Sequence, residues 1–367
     1  MRVAFVDLKR QNIRYGKTFS NVLLKTLRDS LFVGGEPVER FEREFARYCG
    51  RKFCVGLNSG TDAILFALLA YGVGPGDEVI TAPNSYFSPA MMISQTGATP
   101  IFVDVDPKSA TIDVTKIEKA ITKHTKAIIP VHLCGQSADM DPIVNLAKKY
   151  SLAIIEDACQ AHGARYKGHI VPYTETGAFS FYPGKNLGSF GDAGALVTDN
   201  KKIRDAVLKL RNDGSTQKYV HTQFGYKSRL DTIQAGILSA KLPHLERWNK
   251  QRRKAATLYG KLLSSIKQVK TPVEMPYAYH IYHLYMIECE HRDELQEFLA
   301  KKGITTVIHY PTPIHLQKPY REKGYKSGMF SVTETRSNKI LSLPMFPEIH
   351  SDEISYVCHA IKVFYST

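Results

Sequence analysis

A single lysine, Lys185, stands in a stretch dense in glycine and turn formers: Ser180-Phe181-Tyr182-Pro183-Gly184-Lys185-Asn186-Leu187-Gly188-Ser189-Phe190-Gly191-Asp192-Ala193-Gly194. A lysine in such a loop is by default a solvated surface charge. Held in a buried pocket it gives up its proton more easily, and the free amine can form a Schiff base with a carbonyl. Ser180 precedes it by five residues and Asp157 by 28. Asp157 lies in Ile155-Glu156-Asp157-Ala158-Cys159-Gln160-Ala161-His162-Gly163, where an apolar run ends in an acidic pair. Ligands of open parallel sheets lie beyond the carboxyl ends of strands. A carboxylate there can hold a cation or a protonated ring nitrogen, or it can cap the next turn.

A third segment, Asn58-Ser59-Gly60-Thr61-Asp62, runs directly into an apolar helix. A helix N-terminus presents unpaired N–H groups and the positive end of the dipole, which suits a phosphate. Simple N-capping by Ser59 or Asn58 explains the same residues. Taken together, an acid, a phosphate-binding serine and a lysine, each at a strand end, form the set that holds pyridoxal phosphate (PLP).

The elements that must position these residues alternate between strand and helix. Short apolar runs recur at Glu78–Thr81, Pro100–Val105, Ala127–Val131, Leu152–Glu156 and Gly194–Thr198. Helical patterns fall at Pro37–Phe45, Asp62–Tyr71, 115–123 and 140–150. Apolar strands between helices predict an α/β domain, residues 1–240, with a mostly parallel sheet covered on both faces. After about residue 240 the order changes. A long helix (Leu242–Ser265), a strand (Tyr282–Ile287), a helix (Asp293–Lys301), a strand (Ile304–Tyr310) and two closing helices predict a smaller α+β domain over 241–367.

Composition narrows the class. The 367 residues are 43% hydrophobic and 23% charged, which excludes disorder, collagen and a disulfide miniprotein. The net charge of +14 fits a Lys-rich solvated surface, and it also fits attraction for a phosphate-bearing substrate. The six cysteines form no CxxC pair and match no zinc spacing, so buried free thiols in a reducing compartment are expected. His280-x-x-His283 lacks a carboxylate or cysteine partner, and no metal is expected. The longest apolar run, Ala63–Val73, falls short of the ~18 residues that span a membrane. Residues 1–10 lack a signal-peptide pattern, which points to the cytoplasm.

These segments, in order, resemble the DegT/DnrJ/StrS sugar aminotransferase family. The resemblance runs from Phe5-Val6-Asp7-Leu8 through Ser59-Gly60-Thr61-Asp62-Ala63, His132-Leu133-Cys134-Gly135-Gln136 and Glu156–Ala164. It continues through Gly225-Tyr226-Lys227-Ser228-Arg229-Leu230-Asp231, Ile308-His309-Tyr310-Pro311 and Leu341-Ser342-Leu343-Pro344-Met345. It implies the aspartate-aminotransferase-like fold, type I of the PLP enzymes. It makes Lys185 the Schiff-base lysine and proton shuttle, and pairs Asp157 with the pyridine nitrogen. Gln160 would contact the cofactor near its phenolic oxygen, Phe87 would stack on the ring, and Gly60, Thr61 and Ser180 would bind the phosphate. A homodimer with shared active sites is implied, with 225–231 reaching into the partner's site. Lys227 stands where the family usually has an Asn that reaches the partner's phosphate. Cys134 stands where Tyr is common.

The resemblance also implies amino transfer from glutamate, released as 2-oxoglutarate, to a nucleotide-diphosphate keto sugar. Tyr182 stands where members acting at C-4 more often carry His, which favours C-3 of a dTDP-3-keto-6-deoxyhexose over a 4-keto sugar. Tyr182, His309 and Tyr310 would line the sugar, although His309 and Tyr310 could equally form an interdomain packing corner. Lys218 and Arg229 could meet the diphosphate, although Lys218 also suits a mobile surface loop. Family members that are dehydratases carry His at the Schiff-base position, and Lys185 argues against that activity. A nucleic-acid-binding regulator is suggested only by the charge, with no zinc finger and no helix-turn-helix to support it.

Overall fold

The computed structural model describes residues 1–366. Eight short strands carry the main sheet: β1 (Phe53–Leu57), β2 (Glu78–Thr81), β3 (Thr99–Phe102), β4 (Thr125–Ile129), β5 (Ala153–Ile154), β6 (Glu156–Asp157), β7 (Thr176–Ser180) and β8 (Gly194–Thr198). They run in two sets, β3-β2-β4-β5 and β6-β7-β8-β1. The sets join because β5 and β6 are one strand interrupted at Ile155. Its continuity is held by Ile155 N–H to Ile128 O (3.1 Å), Asp157 N–H to Pro130 O (2.9 Å) and a parallel bridge from Val131 to Asp157.

The pairings are parallel except at β8, which is antiparallel to both β7 and β1. Val79, Ile80, Ile128, Ile129 and Ile155 are fully buried, so both faces of the sheet are covered. The expected runs at Glu78–Thr81 and Gly194–Thr198 form strands with the expected bounds. Asp157 and Ser180 end adjacent parallel strands, and this pairing brings them together despite their separation in sequence.

Helix Leu8–Asp29 is not foreshadowed by the sequence reading. Of its 22 residues only Gln11, Phe19 and Thr26 are buried. Ile13 (74%), Leu24 (63%) and Leu27 (60%) stay exposed on it.

The C-terminal unit is an antiparallel sheet of β9 (Val269–Lys270), β10 (Tyr285–Cys289) and β11 (Ile340–Leu343), packed on helices Leu245–Leu263, Arg292–Lys301 and Ser351–Ser366. Residues 304–310 do not form the expected strand. Only Ile304 and Val307 make isolated bridges, to Val3 and Ser342. The N-terminus belongs to this smaller unit, because Val3 is 1% exposed within its apolar cluster.

Candidate active site

The loop that follows β7 carries Lys185, and it is anchored from below. Phe181 is fully buried and meets Phe41 and Phe45 edge-on at 5.3 and 5.1 Å. A ring buried this way contributes about 1.5–3 kcal/mol. The loop returns on itself through Phe181 N–H to Ala193 O (2.7 Å) and Ser189 N–H to Phe181 O (2.8 Å). The buried Lys241 caps it, donating to Gly188 O at 2.7 Å while its ammonium lies over the Phe190 ring. Burial lowers the Lys241 pKa to about 8. Tyr182, just before the bend, is exposed.

Lys185 opens into a cavity of about 820 Å³ that also exposes Asp157, Gln160, Ser180, Tyr182, His309 and Tyr310. Burial lowers the Lys185 pKa, and Cys159, Asp157 and Cys134 only partly oppose it. The amine is therefore more easily freed for nucleophilic and base chemistry than a solvated lysine.

Asp157 is 5% exposed. Its Oδ1 accepts from Cys159 N–H at 3.0 Å, and the carboxylate borders the cavity. Its neighbour Glu156 points the other way and is fully buried. Burial opposes its charge, but hydrogen bonds from His132 and Thr174 outweigh burial and hold its carboxyl below the usual range. His132 Nδ1 accepts from Ala138 N–H (3.1 Å), so Nε2 carries the proton and donates to Glu156 at 2.7 Å. Tyr173 N–H adds a bond of 2.8 Å.

At the other end of the cavity, helix Gly60–Ala70 begins. Ser59 caps it, its Oγ accepting from Asp62 N–H at 3.1 Å. Helix geometry leaves the first N–H groups, at Gly60 and Thr61, without internal partners. Thr61 Oγ1 and Ser88 Oγ lie 2.7 Å apart, and both residues line the cavity. A Cβ on Gly60 would come within 2.6 Å of Cys159 Sγ and 2.7 Å of Ser180 Cβ, so only glycine lets helix and strand approach this closely. Hydroxyls, free N–H groups and a helix N-terminus form an anion cradle. Cradle, lysine and buried carboxylate together fit the phosphate, carbonyl and ring nitrogen of PLP.

Four expected site residues do not line this cavity. Phe87 turns away, packing on Tyr320 at 5.6 Å within the Ala90–Phe102–Phe330 cluster. Its neighbour Tyr86 lines the cavity instead, 5.9 Å from the Tyr310 ring. Sequence could not separate the adjacent aromatics, because the choice depends on how helix Ser88–Gln95 enters. Lys227 and Arg229 flank Ser228, which is pinned to Asp62 Oδ2 (2.7 Å) and Asn58 N–H (3.2 Å), and both cations face outward. Lys218 lies in the exposed hairpin between Ser215–Gln217 and Val220–His221, with its ammonium over the Tyr219 ring. His283, Ser59 and Cys159 line the cavity without having been singled out for it. Ser59 and Cys159 stand inside the segments that the sequence analysis quotes, and His283 in the His280-x-x-His283 pair, but no role in this cavity was read for them.

His309 stacks on Phe5 at 5.6 Å, and its Nδ1 lies 2.9 Å from Ser342 Oγ. Burial and Lys185 lower its pKa to about 4. The cysteines are all free, and only Cys159 is not fully buried. Among the described residues there is no metal-binding cluster of His, Cys, Asp and Glu, and no helix long and apolar enough to cross a membrane.

A parallel-rich α/β sheet, with a lysine of lowered pKa and a buried carboxylate in one cavity with an anion cradle, defines a PLP enzyme of fold type I. The chain belongs to the DegT/DnrJ/EryC1/StrS aminotransferase family, whose pattern matches residues 14–362. It is 41% identical to a dTDP-3-amino-3,4,6-trideoxy-alpha-D-glucose transaminase of Streptomyces venezuelae, over 98% of this chain and 96% of that one. It is 45% identical to a "Pleiotropic regulatory protein" of Geobacillus stearothermophilus, over 100% and 99% of the two chains. The crystal structure of S. venezuelae DesV superposes with a TM-score of 0.98 at 40% identity, covering 100% of this chain and 99% of that one. The protein is a PLP-dependent sugar aminotransferase.

Proposed function

We propose that the protein moves an amino group from glutamate to C-3 of a dTDP-linked 3-keto-6-deoxyhexose. The observation that carries this reading is the wall of Tyr182, His309 and Tyr310 sharing one cavity with Lys185 and Asp157. The wall offers hydroxyl and imidazole groups to the cavity that holds the amine. The 41% identity to a transaminase named for a dTDP-3-amino sugar supports the nucleotide and the position. A nucleotide-linked 4-keto-6-deoxy sugar is the alternative acceptor.

PLP, when bound, supplies an electron-withdrawing ring that stabilises negative charge at the carbon losing its proton. The protein's residues do the rest. Gly60, Thr61 and Ser180 would hold the phosphate, Asp157 the ring nitrogen, and Tyr86 would cover one ring face. Gln160 would donate from Nε2 toward the phenolic oxygen. Lys185 Nζ, whose proton burial makes easier to lose, would take the proton from the donor carbon and pass it to the cofactor, and would run the transfer the other way toward the carbon of the bound keto sugar. The two substrates visit in turn, which is ping-pong.

The active unit is a homodimer with shared sites. Ile13, Leu24 and Leu27 on one helix and Phe32 just after it are exposed, and Phe224 is 101% exposed. Such a surface needs a cover. A second copy would bury it and bring Lys218, Lys227 and Arg229 toward the neighbouring cavity, where the diphosphate would lie. The cytoplasm, which supplies the nucleotide sugar and glutamate, is the proposed compartment.

A second reading is prompted by the relative named as a regulator: DNA binding through the basic surface. Binding to duplex DNA that weakens steeply with salt would favour it. An absorption spectrum tests the main reading. A visible band that glutamate bleaches and dTDP-3-keto-6-deoxyglucose restores supports it. Bleaching without return overturns the C-3 assignment and moves it to 4-keto sugars. No band after PLP addition overturns the catalytic reading.

A further inference from the structure

His283 lines the cavity, and two buried asparagines fix which of its nitrogens carries a proton. The series starts at groups that can only accept. Asn249 Nδ2 donates to the carbonyl of His162 at 2.8 Å, so Asn249 Oδ1 must face the other way. Asn186 Nδ2 lies 2.8 Å from that Oδ1 and 3.5 Å from the carbonyl of Ile281, and both are acceptors. Asn186 is therefore oriented with Oδ1 toward His283 Nδ1, 3.1 Å away. An oxygen at that place requires Nδ1 to be the donor. Asn186 and Asn249 are 3% and 0% exposed, so water cannot readily reorder the series.

The opposite nitrogen, Nε2, then carries a lone pair. It takes no hydrogen bond from the described residues and is not sealed off from the solvent. The cavity is the space that this side chain borders. Burial keeps the ring neutral, and the cations Lys185 and Arg252 reinforce that. The ring is placed by its own backbone: Arg252 donates to the carbonyls of Tyr282 and His283 at 3.3 and 3.2 Å. Gly135 packs against this segment so closely that a Cβ would lie 2.9 Å from His283 N.

We propose that the Asn249–Asn186 pair locks His283 in the Nδ1–H form, so that Nε2 is a fixed acceptor for a hydroxyl of the nucleotide-linked sugar. An acceptor-only nitrogen discriminates by charge and by hydrogen count. It welcomes a hydroxyl and disfavours the carboxylates of glutamate. The inference rests on the sugar aminotransferase reading. It adds a residue that orients the sugar and acts in only one of the two half-reactions.

The holoenzyme labelled with 15N-histidine gives a readout separate from turnover, with His283 assigned by comparison with H283Q. The expected spectrum shows Nδ1 as a protonated nitrogen and Nε2 as an unprotonated one, with Nε2 alone shifting when dTDP-glucose is added. The opposite tautomer, or no shift at Nε2, overturns the proposal. In single-turnover kinetics, H283L should leave the glutamate half-reaction within twofold and lower kcat/KM for the keto sugar about tenfold, the scale of one lost hydrogen bond. H283Q, whose amide oxygen can accept, should recover most of the loss. Equal losses in both half-reactions would overturn the assignment to the sugar. Loss of all activity toward keto sugars in the unaltered enzyme would instead overturn the parent reading, while the nitrogen spectrum still tests the lock.

Discussion

The backbone N–H of Cys134 donates to Gln160 Oε1 at 2.8 Å, and this bond decides which end of the Gln160 amide faces Tyr310. With the oxygen engaged, Nε2 is the end that reaches Tyr310 Oη, at 3.2 Å. Cys134 itself adopts a left-handed conformation with φ of 57°, so its N–H is aimed by the turn and not by its side chain. The thiol, whose pKa burial raises, takes no part. Gln160→Glu keeps the acceptor for Cys134 and loses the donor. The expected result is PLP binding weakened about tenfold, the effect of one hydrogen bond replaced by a repulsive oxygen. Titrating the apoenzyme with PLP by fluorescence measures it, and unchanged affinity would remove Gln160 from the cofactor site.

Lys185→Ala should abolish the glutamate-driven bleaching and lower turnover by at least about 10²–10⁴-fold, the range of a lost acid–base group. Circular dichroism should be unchanged, because Lys185 forms no side-chain hydrogen bond with the described residues.

The direction of the Lys185 pKa gives a pH test. Burial lowers it, so the neutral amine persists to lower pH than in a free lysine of pKa about 10.4. Labelling of the apoenzyme by an amine-selective reagent should rise with pH and reach half its maximum below that value. A midpoint at or above it would mean that the amine is solvated.

Gly60→Ala places a methyl against Cys159 Sγ and Ser180 Cβ. Overpacking of this kind costs about 1–3 kcal/mol. The strain falls on the cradle, so PLP affinity should drop while the helix survives. Adding Cys159→Ala to that variant should restore part of the affinity, because it removes the nearest obstructing atom.

Glu156→Gln should destabilise the fold by about 3 kcal/mol, because a buried partner of His132 and of two backbone N–H groups loses its charge. The sign of the pH dependence follows from the lowered pKa. The stabilisation is present above the unfolded glutamate pKa of about 4.3 and is lost as pH falls through the lower folded value. Urea unfolding of both proteins should therefore show a gap at pH 6 that narrows below pH 4. A gap independent of pH would mean that Glu156 is protonated in the fold.

The sequence by itself determined the chemistry and the parts. The strand Thr176–Ser180 escaped the local pattern, but Asp157 lies where an apolar run stops, Gly60 and Thr61 where an apolar helix starts, and Lys185 in a loop marked by its glycines. Local pattern is enough for this, because strand ends and helix starts are set by nearby residues. Tertiary structure decided what depends on packing between distant segments. Tyr86 faces the cavity and Phe87 does not, because Phe87 is drawn to Tyr320, 233 residues further along. Helix Leu8–Asp29 was not read from the sequence, and only the fold shows that much of its apolar surface is left unburied within one chain. The hydrogen-bond order that fixes Gln160 and His283 depends on carbonyls and N–H groups brought in by other elements. A hydrogen bond is directional, so the side chain's role follows from its partner's position, which local sequence does not encode.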